Sequence, residues 1–152
     1  MNKIKNIAFF AIIGMALISA CKKDPKTDTS VTPTVTPTVT PTCVAGTGGN
    51  VEVAAFPTHH GKAIYSTKNY LDTVYVKFNT SDFPADKKYD LVVAGEEGEE
   101  HVHIKGLKCG KYYFYATGYD TTIHKRVYGG IPKEITQTSG EVDLNVLVTE
   151  GD

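Results

Sequence analysis

Between Val142 and Val148, Val142, Leu144, Val146 and Val148 alternate with Asp143 and Asn145. This period of two gives a strand one apolar and one polar face. Thr73–Asn79 repeats the pattern, with Val74, Val76 and Phe78 on one side and Tyr75 and Lys77 on the other. Glu100–Ile104 turns Val102 and Ile104 inward and His101 and His103 outward. Val51–Phe56 (ended by Pro57), the short apolar Tyr89–Ala94, the aromatic Lys111–Tyr119 and Arg126–Ile131 bring the expected strands to seven. Gly and Pro interrupt these runs about every ten residues, and no window holds a sustained helical period. The pattern predicts an all-β fold over 43–152, a small antiparallel two-sheet sandwich.

The first 42 residues follow other rules. Lys3 and Lys5 precede an apolar run, Ile7–Ala20, that holds 14 residues. A membrane span needs about 20, so the run reads as an export signal over 1–20. Residues 24–42 contain Val31-Thr32-Pro33-Thr34 and two further copies, at 35–38 and 39–42. Proline at every fourth position removes backbone donors and fixes φ, which excludes helix and central strand. A disordered, extended Thr/Pro-rich tether over 21–42 is expected, rising roughly 3 Å per residue where it is polyproline II. It resembles O-glycosylated stalks, and an unmodified spacer is the plainer expectation.

The five residues Leu17-Ile18-Ser19-Ala20-Cys21 resemble the lipobox of bacterial lipoproteins. The resemblance implies cleavage before Cys21, a diacylglyceryl group on its sulfur and an acyl chain such as palmitate on its new amine. Each buried methylene contributes about 0.8 kcal/mol, so two or more chains anchor stably. Lys22 stands where an aspartate would mark inner-membrane retention, which favours the outer membrane; Lys22-Lys23-Asp24-Pro25-Lys26 also departs from the acidic cluster of surface-exported lipoproteins. The periplasmic and surface faces both stay open.

Gly106-Leu107-Lys108-Cys109-Gly110-Lys111-Tyr112, with Gly118-Tyr119-Asp120 after it, resembles the "G-L-x-x-G-x-Y" start of a strand in prealbumin-like and carboxypeptidase-regulatory-like sandwiches. Val51-Glu52-Val53 with Gly61-Lys62-Ala63-Ile64 is similar to their first strand and turn. Fibronectin/Ig-like sandwiches start the strand in a related way. The resemblance implies an accessory, adhesive or spacer module, and it carries over no catalytic residue.

Charge narrows the partners. Residues 43–152 hold 11 Lys+Arg against 15 Asp+Glu, with no basic stripe, which argues against nucleic acid. Other envelope proteins or glycans fit better. Three cysteines leave two once Cys21 is lipidated. In an oxidising compartment Cys43 and Cys109 are expected to pair.

His101 and His103, two apart on a strand, project from one face with Glu99, a way to present two nitrogens to Zn or Cu. His59, His60 or His124 would have to supply a further ligand. The alternative is a solvated strand face. Glu96, Glu97, Glu99 and Glu100 around Gly98 read as an acidic turn, without EF-hand spacing for calcium. Asp72, Asp82, Asp86, Asp90 and Asp120 fall at turns, where aspartate is ordinary. No nucleophile elbow, phosphate loop or HExxH helix occurs, so no enzymatic activity and no cofactor are expected. The aromatics from Tyr112 to Tyr128 offer a carbohydrate platform, but a stripe that is half core and half sheet surface is the plainer expectation, and the sequence holds no tryptophan to strengthen the sugar reading. Two functions follow: a lipid-anchored, non-catalytic accessory, binding or spacer module, or an envelope metal-binding protein using the His101/His103 face.

Overall fold

A computed structural model describes residues 43–151. The expected export signal, Cys21 and the expected tether lie outside the described residues. Nine strands form two stacked sheets: β1 Thr47–His59, β2 Lys62–Ala63, β3 Thr73–Phe78, β4 Leu91–Ala94, β5 Val102–Leu107, β6 Gly110–Asp120, β7 Lys125–Ile135, β8 Ser139–Leu147 and β9 Thr149–Glu150. One sheet is built around β1, flanked by β5 and β8, with β2 closing a hairpin at its end; the other runs β4-β3-β6-β7-β9. The described residues contain no helix. All seven expected strands are present, and the fold is the expected all-β sandwich.

The core follows from the alternation. Val51, Val53 and Ala55 of β1, Val74 and Val76 of β3, Val102 and Ile104 of β5, and Phe114 and Ala116 of β6 are fully buried between the sheets. Leu144, Val146 and Val148 close it from the C-terminal end. Fully burying a side chain of this size contributes about 1.5–3 kcal/mol, which makes these faces the main source of stability.

The structure adds the short strands β2 and β9, extends β7 to Ile135, and departs from the sequence reading in its pairing and course as well. One pairing is parallel: β8 lies beside β1 from Asn50↔Ser139 to Thr58↔Leu147, while the other strand pairs are antiparallel. β1 also runs through Pro57 to His59 instead of ending there. The Pro57 carbonyl accepts from Ile64 N–H at 2.9 Å, between the last β5 pairing at Ala55 and the first β2 pairing at Thr58. The missing proline N–H falls in this gap in the ladder, where a strand tolerates it. Finally, the chain changes sheets after β8. Val148 N–H donates to Thr58 O at 2.9 Å, and Thr149–Glu150 then pairs with β7.

Cys43 and Cys109 form a disulfide across a sequence separation of 66. It sits beside the start of β6, where the buried Tyr112 hydroxyl donates to Lys108 O at 2.6 Å and accepts from Gly46 N–H at 3.0 Å. Nearby, β1 bulges between its pairings with Leu107. Gly49 permits the close approach there, since a Cβ would stand 2.1 Å from Leu107 O.

Candidate functional site

Three core-facing series end in polar residues. On β1 the series Val51, Val53, Ala55, Pro57 finishes at His59; on β6, Tyr112, Phe114, Ala116, Gly118 finishes at Asp120; along the C-terminal strands, Leu144, Val146, Val148 finishes at Glu150. The three meet at one end of the sandwich. His59 Nδ1 lies 2.8 Å from Asp120 Oδ2 and its Nε2 lies 2.7 Å from Glu150 Oε2. The imidazole is only 2 % exposed. Its pKa is raised, first by the hydrogen bond to Asp120, with burial opposing and Glu150 adding to the rise. Asp120 is correspondingly held below the usual carboxylate range, chiefly by His59. Glu150 is lowered too, first by a backbone hydrogen bond and then by His59.

His60 completes this group. His60 and Gly61 form the two-residue turn from β1 to β2, with φ of 48° and 75°. The turn sets the His60 ring against His59, centroids 4.1 Å apart and planes tilted by 48°. One donor atom each from His59, His60 and Glu150 lie within 4.8 Å of one another. A recess of about 460 Å³, lined in part by Lys62, Tyr65, Tyr119 and Asp120, opens at the same end.

The expected outward pair is also present. His101 Nε2 lies 2.8 Å from His103 Nε2, so one ring donates and the other accepts. His103 Nδ1 is 2.6 Å from Glu52 Oε1, and Glu99 Oε2 stands 3.9 Å from His101 Nδ1. His101 packs on Phe56, centroids 5.0 Å apart. Among the described residues the pair acquires no third ligand, and His124, in the β6–β7 turn, joins neither histidine group. Glu96 and Glu99 line a recess of about 280 Å³ with His101 and His103.

The outer face of the β3/β6/β7 sheet is aromatic. Tyr75, Tyr113, Tyr115 and Tyr128 project from it, and Phe83 and Tyr89 fold onto it from the loop between β3 and β4. Ring centroids step across the face at 5.2 Å (Tyr75–Tyr89), 6.0 Å (Tyr89–Tyr115), 5.6 Å (Phe83–Tyr115) and 6.3 Å (Tyr115–Tyr128). Tyr75, Phe83, Lys87, Tyr89, Tyr115 and Thr117 line a shallow recess of about 280 Å³. Further along, Tyr70 stacks on Tyr119 at 4.5 Å, with the Arg126 guanidinium 5.3 Å from the Tyr70 centroid. Partial burial raises the phenol pKa values of Tyr89, Tyr113 and Tyr115.

Asp72 is wholly buried and neither carboxylate oxygen has a partner. Desolvation pushes its pKa up to about 6. Its backbone is held by Ser66 Oγ and by Gly95 N–H, and a Cβ on Gly118 would come within 2.6 Å of Oδ1.

From sequence alone Asp72 and Asp120 read as ordinary turn aspartates, and Glu150 carries no signal. Ending β1 at Pro57 hid the connection, because the alternation carried two residues further puts His59 on the core face. The described residues include the paired Cys43 and Cys109; Cys21 lies outside them.

No protein-family model matches the sequence, and no curated protein matches it. Among solved structures, a DUF4876 family protein from Bacteroides thetaiotaomicron VPI-5482 is similar at 16% identity and a TM-score of 0.36, over 66% of this chain and 24% of that one.

Proposed function

We propose that the protein is a lipid-anchored, non-catalytic binding module of the cell envelope, and that the tyrosine face of its sandwich takes up glycan. The lipobox-like Leu17-Ile18-Ser19-Ala20-Cys21 supports the anchor, and the Thr/Pro repeats support a spacer between lipid and domain. The prealbumin-like resemblance around Gly106–Tyr112 fits an accessory role. The observation that carries the binding reading is the run of contiguous rings from Phe83 to Tyr128 on an outward sheet face. A surface aromatic cluster of this size is a binding feature more than a packing one. The phenol hydroxyls, Thr117 and Lys87 intersperse hydrogen-bonding groups among ring faces, a chemistry suited to sugars, whose rings offer C–H faces and hydroxyl edges.

Affinity electrophoresis against neutral polysaccharides (starch, β-glucan, mannan, xylan) tests this. Retardation by at least one of them, abolished by Tyr89→Ala/Tyr115→Ala with the fold intact, is expected. Mobility unaffected by all four, or retardation indifferent to the substitutions, contradicts the glycan reading.

The 2.8 Å approach of His101 and His103 favours a second reading, an envelope Zn or Cu protein on that face. Two nitrogens on one zinc at about 2.0–2.1 Å stand roughly 3.3 Å apart in tetrahedral geometry, a small movement from the observed spacing. Two side chains make an incomplete site, so this reading requires further ligands from water or a partner.

A further inference from the structure

The geometry points to a zinc-type divalent metal site at the end of the sandwich, formed by His59, His60 and Glu150, with Asp120 orienting His59. Two imidazoles and one carboxylate are an established zinc ligand set that leaves a fourth position open. The donor atoms already lie within 4.8 Å of one another. His59 is fixed for the role: Asp120 holds Nδ1 at 2.8 Å, which turns Nε2 toward Glu150. A carboxylate behind a ligating histidine sets its tautomer and raises its basicity. His60 and Glu150 are exposed, so their side chains have room to adjust from the present contacts to ligand distances. On binding, the metal replaces the proton between His59 Nε2 and Glu150, and that proton leaves to solvent.

The position gives the ion a consequence. His59 belongs to the β1 sheet, whereas Asp120 and Glu150 belong to the β3/β6/β7 sheet. The metal therefore clips the two sheets together at the opposite end from the Cys43–Cys109 bridge, which lies beside the starts of β1 and β6. This site is separate from the tyrosine face and from His101/His103.

The test is a zinc titration of the full chain, purified in detergent and stripped with chelator, against a chromophoric competitor. One equivalent should bind with a dissociation constant below about 1 µM. His60→Ala and Glu150→Gln change exposed side chains, and each should weaken binding by at least tenfold; Asp120→Asn should weaken it by roughly 10–100-fold. Cobalt in place of zinc should give the intense visible absorption of a four-coordinate site, and this should fade in His60→Ala. Binding that is absent in the parent chain overturns the proposal. So does binding that survives both His60→Ala and Glu150→Gln, including the case in which it disappears only in His101→Ala/His103→Ala.

Discussion

Asp72 shows how much a single residue's setting matters. In the unfolded chain its carboxyl titrates at the ordinary aspartate value of 3.8, and in the fold burial moves it to about 6. Between these values the native state holds the proton more tightly than the unfolded one, so stability falls as pH rises through that window. Above about pH 6 the full penalty is present, on the order of 3 kcal/mol for a pKa raised by about two. Asp72→Asn has no proton to lose. The variant's denaturation midpoint, measured against pH, should stay level relative to the parent's, which drops between about pH 4 and pH 6. Superimposable pH profiles for the two proteins would contradict the account of Asp72. Composition and spacing give no sign of this residue, because an aspartate before a strand reads as a turn. Only the sheet packing shows that it continues the Val74, Val76 series inward.

At the scale of elements, the strands with clean alternation were legible: Val142–Val148 and Thr73–Asn79 each end one residue past β8 and β3, and their apolar faces point inward. The outward placement of His101 and His103 was legible for the same reason. The parallel pairing of β1 with β8 was not, since register between strands about ninety residues apart depends on the whole sheet rather than on either sequence. β9 is two residues long, too short to show a period. The cysteine pairing was legible from the count and the expected compartment, and its energetic role belongs at this scale. The bridge ties the residues before β1 to the start of β6, closing a separation of 66. The chain-entropy account assigns such a loop roughly 4 kcal/mol. Reduction and alkylation of Cys43 and Cys109 should therefore lower the denaturant midpoint clearly, by an amount of that order once multiplied by the slope. An unchanged midpoint would mean that hydrogen bonding around Tyr112 and the β1–β5 contacts hold this end without it.

At the scale of the molecule, a short apolar run ending at Ala20, the lipobox-like Cys21, three Val-Thr-Pro-Thr repeats and a β-sandwich lie in that order along the chain. The chain joins the sandwich at Cys43, at the disulfide end, and the His59–Asp120–Glu150 cluster occupies the other end. The tyrosine face lies on the flank of one sheet. In the proposed role Cys21 anchors the domain to a lipid surface, which makes the anchor the premise of that role. The most direct measurement is fractionation of cells producing the parent chain or Cys21→Ser, with the mass of the processed protein. The parent should partition with membranes as a mature form carrying lipid mass, and Cys21→Ser should accumulate as unprocessed precursor without lipid. A Cys21→Ser protein that matures normally and stays with the membranes as the parent does would contradict it.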